Sequence, residues 1–146
     1  MLKVIVVEDS VLIADMLEDF LVLKGYNVCG LARTVDEAVE LADHCKPDLA
    51  VLDFRLAGGG YGSQIRPLLN DKTGMGILYV SGDPLIDKLT KDDGDAYIQK
   101  PYGLEDLDSA LNIVRKIKTN VTVSPSTFPR GFHLLKQAIG GGEKAA

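Results

Sequence analysis

Short β-branched runs alternate with stretches of helical periodicity along the chain, and that alternation predicts an open α/β sheet. Lys3–Val7 is almost wholly apolar and stops at Glu8–Asp9, as a strand covered on both faces does. Val11, Leu12, Met16, Leu17, Phe20 and Leu21 then recur at helical spacing, with Ser10 placed to cap and Gly25 to stop a helix over about 10–24. Asn27–Arg33 reads as a second strand. Thr34 with Glu37 three residues later is a capping-box pattern ahead of a helix over roughly 35–45. Beyond Pro47, Leu49–Leu52 forms a third strand that ends at Asp53.

Phe54–Gly62 carries four glycines and predicts a sharply turning loop. A short helix from about Ser63 to Leu69 is expected next, limited by Pro67. Gly76–Val80 is the fourth strand, ending at Ser81. Leu85–Thr90 is weakly helical, and Ala96–Gln99 is the fifth strand, followed at once by Lys100–Pro101–Tyr102. Leu104, Leu107, Leu111, Val114 and Ile117 give the clearest amphipathic helix, so five βα units are complete by about residue 118. Residues 1–118 therefore read as one domain. In 119–146, Thr119–Arg130 reads as an irregular linker with two prolines, and Phe132, Leu135, Ala138 and Ile139 suggest one short helix before a frayed end. That tail is too short for an independent output domain.

The polar residues fall where such a sheet binds ligands, outside the carboxyl ends of its strands. Glu8 and Asp9 end the first strand, Asp53 the third, Ser81 the fourth and Lys100 the fifth. Crowded carboxylates repel one another unless a cation joins them, and oxygen ligands without histidine or cysteine favour Mg²⁺. A lysine and a hydroxyl on the opposite side would contact phosphoryl oxygens, leaving one carboxylate available as nucleophile.

Composition narrows the setting. A chain of 146 residues with 46% apolar and 25% charged side chains is ordinary for one globular domain. The net charge of −5 is uneven: −7 over residues 1–118 and +2 over 119–146. An acidic body without a basic stripe repels a nucleic-acid backbone, so direct DNA binding is not expected. Cys29 and Cys45, 16 apart with no second pair, support neither a disulfide scaffold nor a four-ligand zinc site, and a reducing cytoplasmic setting fits best. Acidic residues interrupt the first apolar stretch, which is therefore neither a signal peptide nor a membrane span.

Over about residues 2–118 the chain resembles the receiver domain of bacterial two-component response regulators. The likeness is carried by VVEDS, LAVLDF, YVSG and AYIQKPY. The resemblance implies a flavodoxin-like (βα)5 doubly wound parallel sheet with strand order 2-1-3-4-5, here with a short C-terminal helical tail. It implies that Asp53 accepts a phosphoryl group from the phosphohistidine of a sensor histidine kinase or a phosphotransfer protein. Glu8, Asp9, Asp53 and the backbone carbonyl of Arg55 would hold Mg²⁺. Ser81 and Lys100 would contact the phosphoryl group, and Tyr97 would turn inward as Ser81 moves. The altered face, comprising the fourth helix, fifth strand and fifth helix, would engage a downstream protein or a second copy of the chain.

Three departures from the family pattern stand out. The stretch after Asp53 lacks the family's proline, Ser81 replaces the commoner threonine, and Arg55 and Asp83 occupy positions that tune attack of water on the acyl phosphate. The leading reading is a stand-alone receiver acting as a relay intermediate or a protein-binding switch. One alternative is a degenerate receiver that binds or dimerises without phosphorylation. Another is a small Mg²⁺-dependent phosphatase, for which no additional general acid or cap segment is visible. The GGGYG run has neither dinucleotide-binding nor Walker spacing and does not argue for a nucleotide.

Overall fold

The structure, a computed structural model, describes residues 1–70 and 74–138. One sheet organises them: β1 (Lys3–Val7), β2 (Asn27–Ala32), β3 (Leu49–Asp53), β4 (Gly76–Ser81), β5 (Ala96–Gln99) and β6 (Phe132–Leu134), in the order β2-β1-β3-β4-β5-β6. The first five strands are parallel, and β6 pairs antiparallel with the outer edge of β5. This is the open α/β sheet that the strand pattern predicts, in the flavodoxin-like order that the resemblance implies, extended by one strand.

Three α-helices cover it: α1 (Val11–Leu23), α2 (Val35–Cys45) and α3 (Leu104–Lys118). The Ser10 hydroxyl accepts the Ile13 N–H at 3.3 Å, and Gly25 takes φ +94° just past the end of α1. Thr34 accepts the Glu37 N–H at 3.2 Å, while the Glu37 carboxylate reaches back to the N–H of Arg33. Alternate strand residues serve two cores. Ile5, Leu52, Ile77 and Tyr79 belong to the core shared by α2 and the 65–69 and 85–89 segments, and Val4, Val51, Leu78 and Ile98 belong to the core under α1 and α3. That two-sided burial is why β1, β3 and β4 read as nearly unbroken apolar runs, while the edge strand β2 is only half-buried.

Two expected helices are absent from the described residues. The 63–69 segment forms separate 3₁₀ turns, Gly62–Gln64 and Arg66–Leu68, because Pro67 removes an N–H and only Ile65 and Leu69 need burial. The 85–90 segment makes a single turn in which Leu89 N–H bonds the Leu85 carbonyl at 3.0 Å. Asp93 then accepts the Thr90 N–H and Thr90 accepts the Asp92 N–H, so side chains take the donors a helix would use.

The tail also differs from its reading. A short helix is present, as a 3₁₀ turn at Pro125–Thr127, but Phe132–Leu134 is a strand. Phe132 and Leu135, three apart, would share a helix face. In the extended chain they fall on opposite faces, and each enters a different core. Ala138, expected in the same helix, is exposed, and Ile139 lies outside the described residues. The surface imagined from a fourth helix, fifth strand and fifth helix is therefore not built: no helix stands at 85–90, and the β5 edge is occupied. Cys29 and Cys45 are also corrected, because a disulfide joins β2 to the end of α2. Among the described residues no helix is long and apolar enough to cross a membrane.

Candidate functional site

The carboxyl ends of the parallel strands bring together the expected residues. Glu8, one residue beyond β1, and Asp53, closing β3, are buried, while Asp9 is partly exposed. One carboxylate oxygen from each lies within 4.8 Å of the other two, a spacing that suits a divalent cation. Lys100 Nζ stands 3.3 Å from Asp53 Oδ2 and 3.4 Å from Oδ1. Its backbone N–H donates to the Ser81 carbonyl at 2.7 Å, which ties the start of the β5–α3 loop to the end of β4.

Burial dominates the electrostatics. It pushes the Glu8 carboxyl up to about 7, with the N–H of Ser10 opposing and the neighbouring Asp9 and Asp53 carboxylates reinforcing. Asp53 is also raised by burial, with Lys100 acting against it. A bound cation would reverse the first effect by favouring the ionised forms.

Ser81 is buried, and its hydroxyl accepts the Asp83 N–H at 3.1 Å. Arg55 carries its guanidinium away from the carboxylates, to Asp83 Oδ2 at 3.0 Å, and lies over the rings of Phe54 and Tyr61 at 5.9 and 5.7 Å. Arg55 and Asp83 thus join the two loops flanking Asp53 and Ser81. Tyr97 stands apart from the carboxylates, buried in β5 with its ring stacked on His133 at 5.0 Å.

Sequence reasoning assigned no role to three neighbours. A Cβ on Gly62 would lie 2.5 Å from the Asp53 carbonyl oxygen, so only glycine lets the loop close behind the acceptor strand. Arg33 Nε donates to the Asp9 carbonyl at 3.3 Å. Tyr102 is pushed up to about 12, first by burial and then by Glu8 and Asp53. Its position two residues after Lys100 was the available signal.

Residues 4–112 match the model of the response regulator receiver domain. The chain belongs to this family. Similar proteins include the regulatory protein VanR of Enterococcus faecium, 36% identical over 122 residues that span 82% of this chain and 49% of VanR. The response regulator GacA of Pseudomonas aeruginosa is 31% identical over 121 residues, 78% of this chain and 55% of GacA. The chain thus spans about half the length of these relatives. Among solved structures, the signal receiver domain of a modulated diguanylate cyclase from Desulfovibrio desulfuricans G20 is 26% identical, with a TM-score of 0.67. That match covers 82% of this chain and 98% of the solved one. The receiver fold and its clustered acidic residues fit phosphoacceptor chemistry in two-component signalling.

Proposed function

We propose that Asp53 accepts a phosphoryl group from the phosphohistidine of a sensor histidine kinase or histidine phosphotransfer protein, in the cytoplasm, and that the chain acts as a relay intermediate or protein-binding switch. The observation carrying this reading is Asp53 itself, a buried carboxylate 3.3 Å from Lys100 Nζ and clustered with Glu8 and Asp9. An Asp53 oxygen attacks phosphorus, the P–N bond to the donor imidazole breaks, and the leaving imidazole takes up a proton. Lys100 and the Ser81 hydroxyl stabilise the phosphoryl oxygens as charge shifts.

The donor set fits Mg²⁺: Glu8, Asp9, Asp53 and the Arg55 carbonyl would hold it. When bound, Mg²⁺ neutralises the carboxylates and the phosphoryl oxygens. The donor protein has a landing surface beside the acceptor, because Val11, Leu12 and Met16 on the first turns of α1 are exposed apolar residues immediately after Glu8–Asp9.

A second reading, a binding module that works without phosphorylation, is favoured by the two missing helices and the covered β5 edge. One experiment separates the two: intact mass after acetyl phosphate treatment, with and without Mg²⁺, for the parent and Asp53→Asn chains. A single Mg²⁺-dependent phosphoryl adduct, absent from Asp53→Asn, is expected. A folded parent that takes no phosphoryl group from acetyl phosphate or from phosphohistidine donors overturns the phosphoacceptor reading in favour of the second.

A further inference from the structure

We propose that β6 is a displaceable strap: it fills, within the chain, an edge on β5 that accepts an extended segment of a partner protein once Asp53 is phosphorylated. This rests on the phosphoacceptor reading for its trigger, and on β6 itself for the nature of the ligand.

Without β6, the β5 edge would present unpaired backbone groups, a ready template for another strand. The strap covers that edge with a strand of three residues, in the register Ala96↔Leu134, Tyr97↔His133 and Ile98↔Phe132. Two side chains anchor it deeply, Phe132 and Leu135, one in each core. His133 is exposed and merely stacks on Tyr97. An open groove lined by Pro84, Ile86, Tyr97 and Phe128 runs beside the strap, next to the single turn that replaces the expected helix.

The acceptor and the strap share a hinge. Lys100 contacts Asp53 through its side chain and Ser81 through its backbone N–H. The preceding residue, Gln99, donates its backbone N–H to the carbonyl of Gly131 at 3.0 Å, at the entry to β6, and its side-chain amide to the Gly82 carbonyl at 3.4 Å. A phosphoryl group on Asp53 occupies space that Lys100 now fills, so Lys100 and the buried Ser81 must rearrange. That movement acts on the chain one residue from the strap's first hydrogen bond. A short element held at a sheet edge opens at low cost compared with the core strands.

The strap is also a template for its replacement. It places apolar side chains on both faces of an extended chain, Phe132 into one core and Leu135 into the other. The fitting partner is a protein segment of the same kind, an extended chain with an aromatic residue for one core and an aliphatic residue for the other.

Hydrogen exchange on the full chain, paired with intact mass, tests this. Acetyl phosphate with Mg²⁺ is expected to speed amide exchange at 132–135 by about tenfold or more, with no such change in Asp53→Asn. A labelled synthetic peptide of residues 128–137 should then bind the phosphorylated chain and not the unmodified one. An adduct on Asp53 with unchanged exchange at 132–135, or with no peptide capture, overturns the strap while leaving the phosphoacceptor reading intact. Absence of any adduct overturns that reading and the trigger with it. His133→Pro and His133→Gly loosen β6 independently of Asp53, and a folded variant of either kind should capture the peptide. Failure of both folded variants to do so overturns the displaceable edge.

Discussion

Lys100 Nζ lies 3.3 Å from Asp53 Oδ2, although 47 positions separate the two residues in the chain. The contact exists because β3 and β5 flank β4 and all three end on the same side of the sheet. Asp53 is nearly enclosed, whereas the Lys100 side chain is 38% exposed, so the lysine can swing to follow a larger, more negative group. Lys100→Ala should slow adduct formation from acetyl phosphate by about 10²-fold, the scale of losing one preorganised donor to developing charge. Time-resolved intact mass measures it. A rate within twofold of the parent would remove Lys100 from the chemistry.

Glu8 makes metal-free stability depend on pH. Its carboxyl titrates at about 7 in the fold against 4.5 ordinarily, so the folded chain holds an extra proton between these values. The stability this supplies is present below pH 4.5 and lost as pH rises through about 7, on the order of 3 kcal/mol. Urea denaturation without Mg²⁺ should show the parent weakening across that window relative to Glu8→Gln. Added Mg²⁺ should oppose the trend, since it binds the ionised carboxylates more tightly as pH rises.

Gly62→Ala should disturb the acceptor from behind. The new methyl group would sit 2.5 Å from the Asp53 carbonyl oxygen, and backbone cannot yield there as a flexible side chain would. A loss of about 1–3 kcal/mol is expected from the overpacking, read from the denaturation midpoint, together with slower phosphorylation.

The Arg55–Asp83 pair should matter more to the phosphorylated lifetime than to stability. Both side chains are about half exposed or more, so solvent screens the pair and Asp83→Ala should leave the denaturation midpoint almost unchanged. The same change opens the mouth above Asp53 to water and should shorten the adduct's lifetime by about threefold or more. Decay of the isolated phosphorylated chain, followed by mass, provides the check.

The Cys29–Cys45 disulfide should stabilise the oxidised chain by closing a loop between residues 16 apart, worth about 3 kcal/mol in the chain-entropy view. Alkylation without reductant should leave both cysteines unmodified. Cys29→Ser should lower the denaturation midpoint without altering the phosphorylation rate, because the bridge lies on β2 and α2, away from the carboxylates.

The chain's own pattern determined the five parallel strands, α1, α2, α3 and the residues at the strand ends. β1, β3, β4 and β5 are covered on both faces, so they must be apolar until the chain leaves the sheet, and Asp53, Ser81 and Lys100 fall where that constraint is released. Ser10 and Thr34 mark helix starts through bonds made within three residues, which local sequence displays directly. Tertiary structure decided the remainder. Leu85 with Leu89, and Phe132 with Leu135, have spacings that a helix would use, yet one pair needs only a single turn and the other spans two cores. What settles Phe132–Leu134 as a strand is the open edge of β5, a neighbour more than thirty residues earlier in the chain. The Cys29–Cys45 bridge and the close approach of Gly62 to Asp53 have the same origin: each depends on which elements the fold lays side by side, and no local periodicity carries that information.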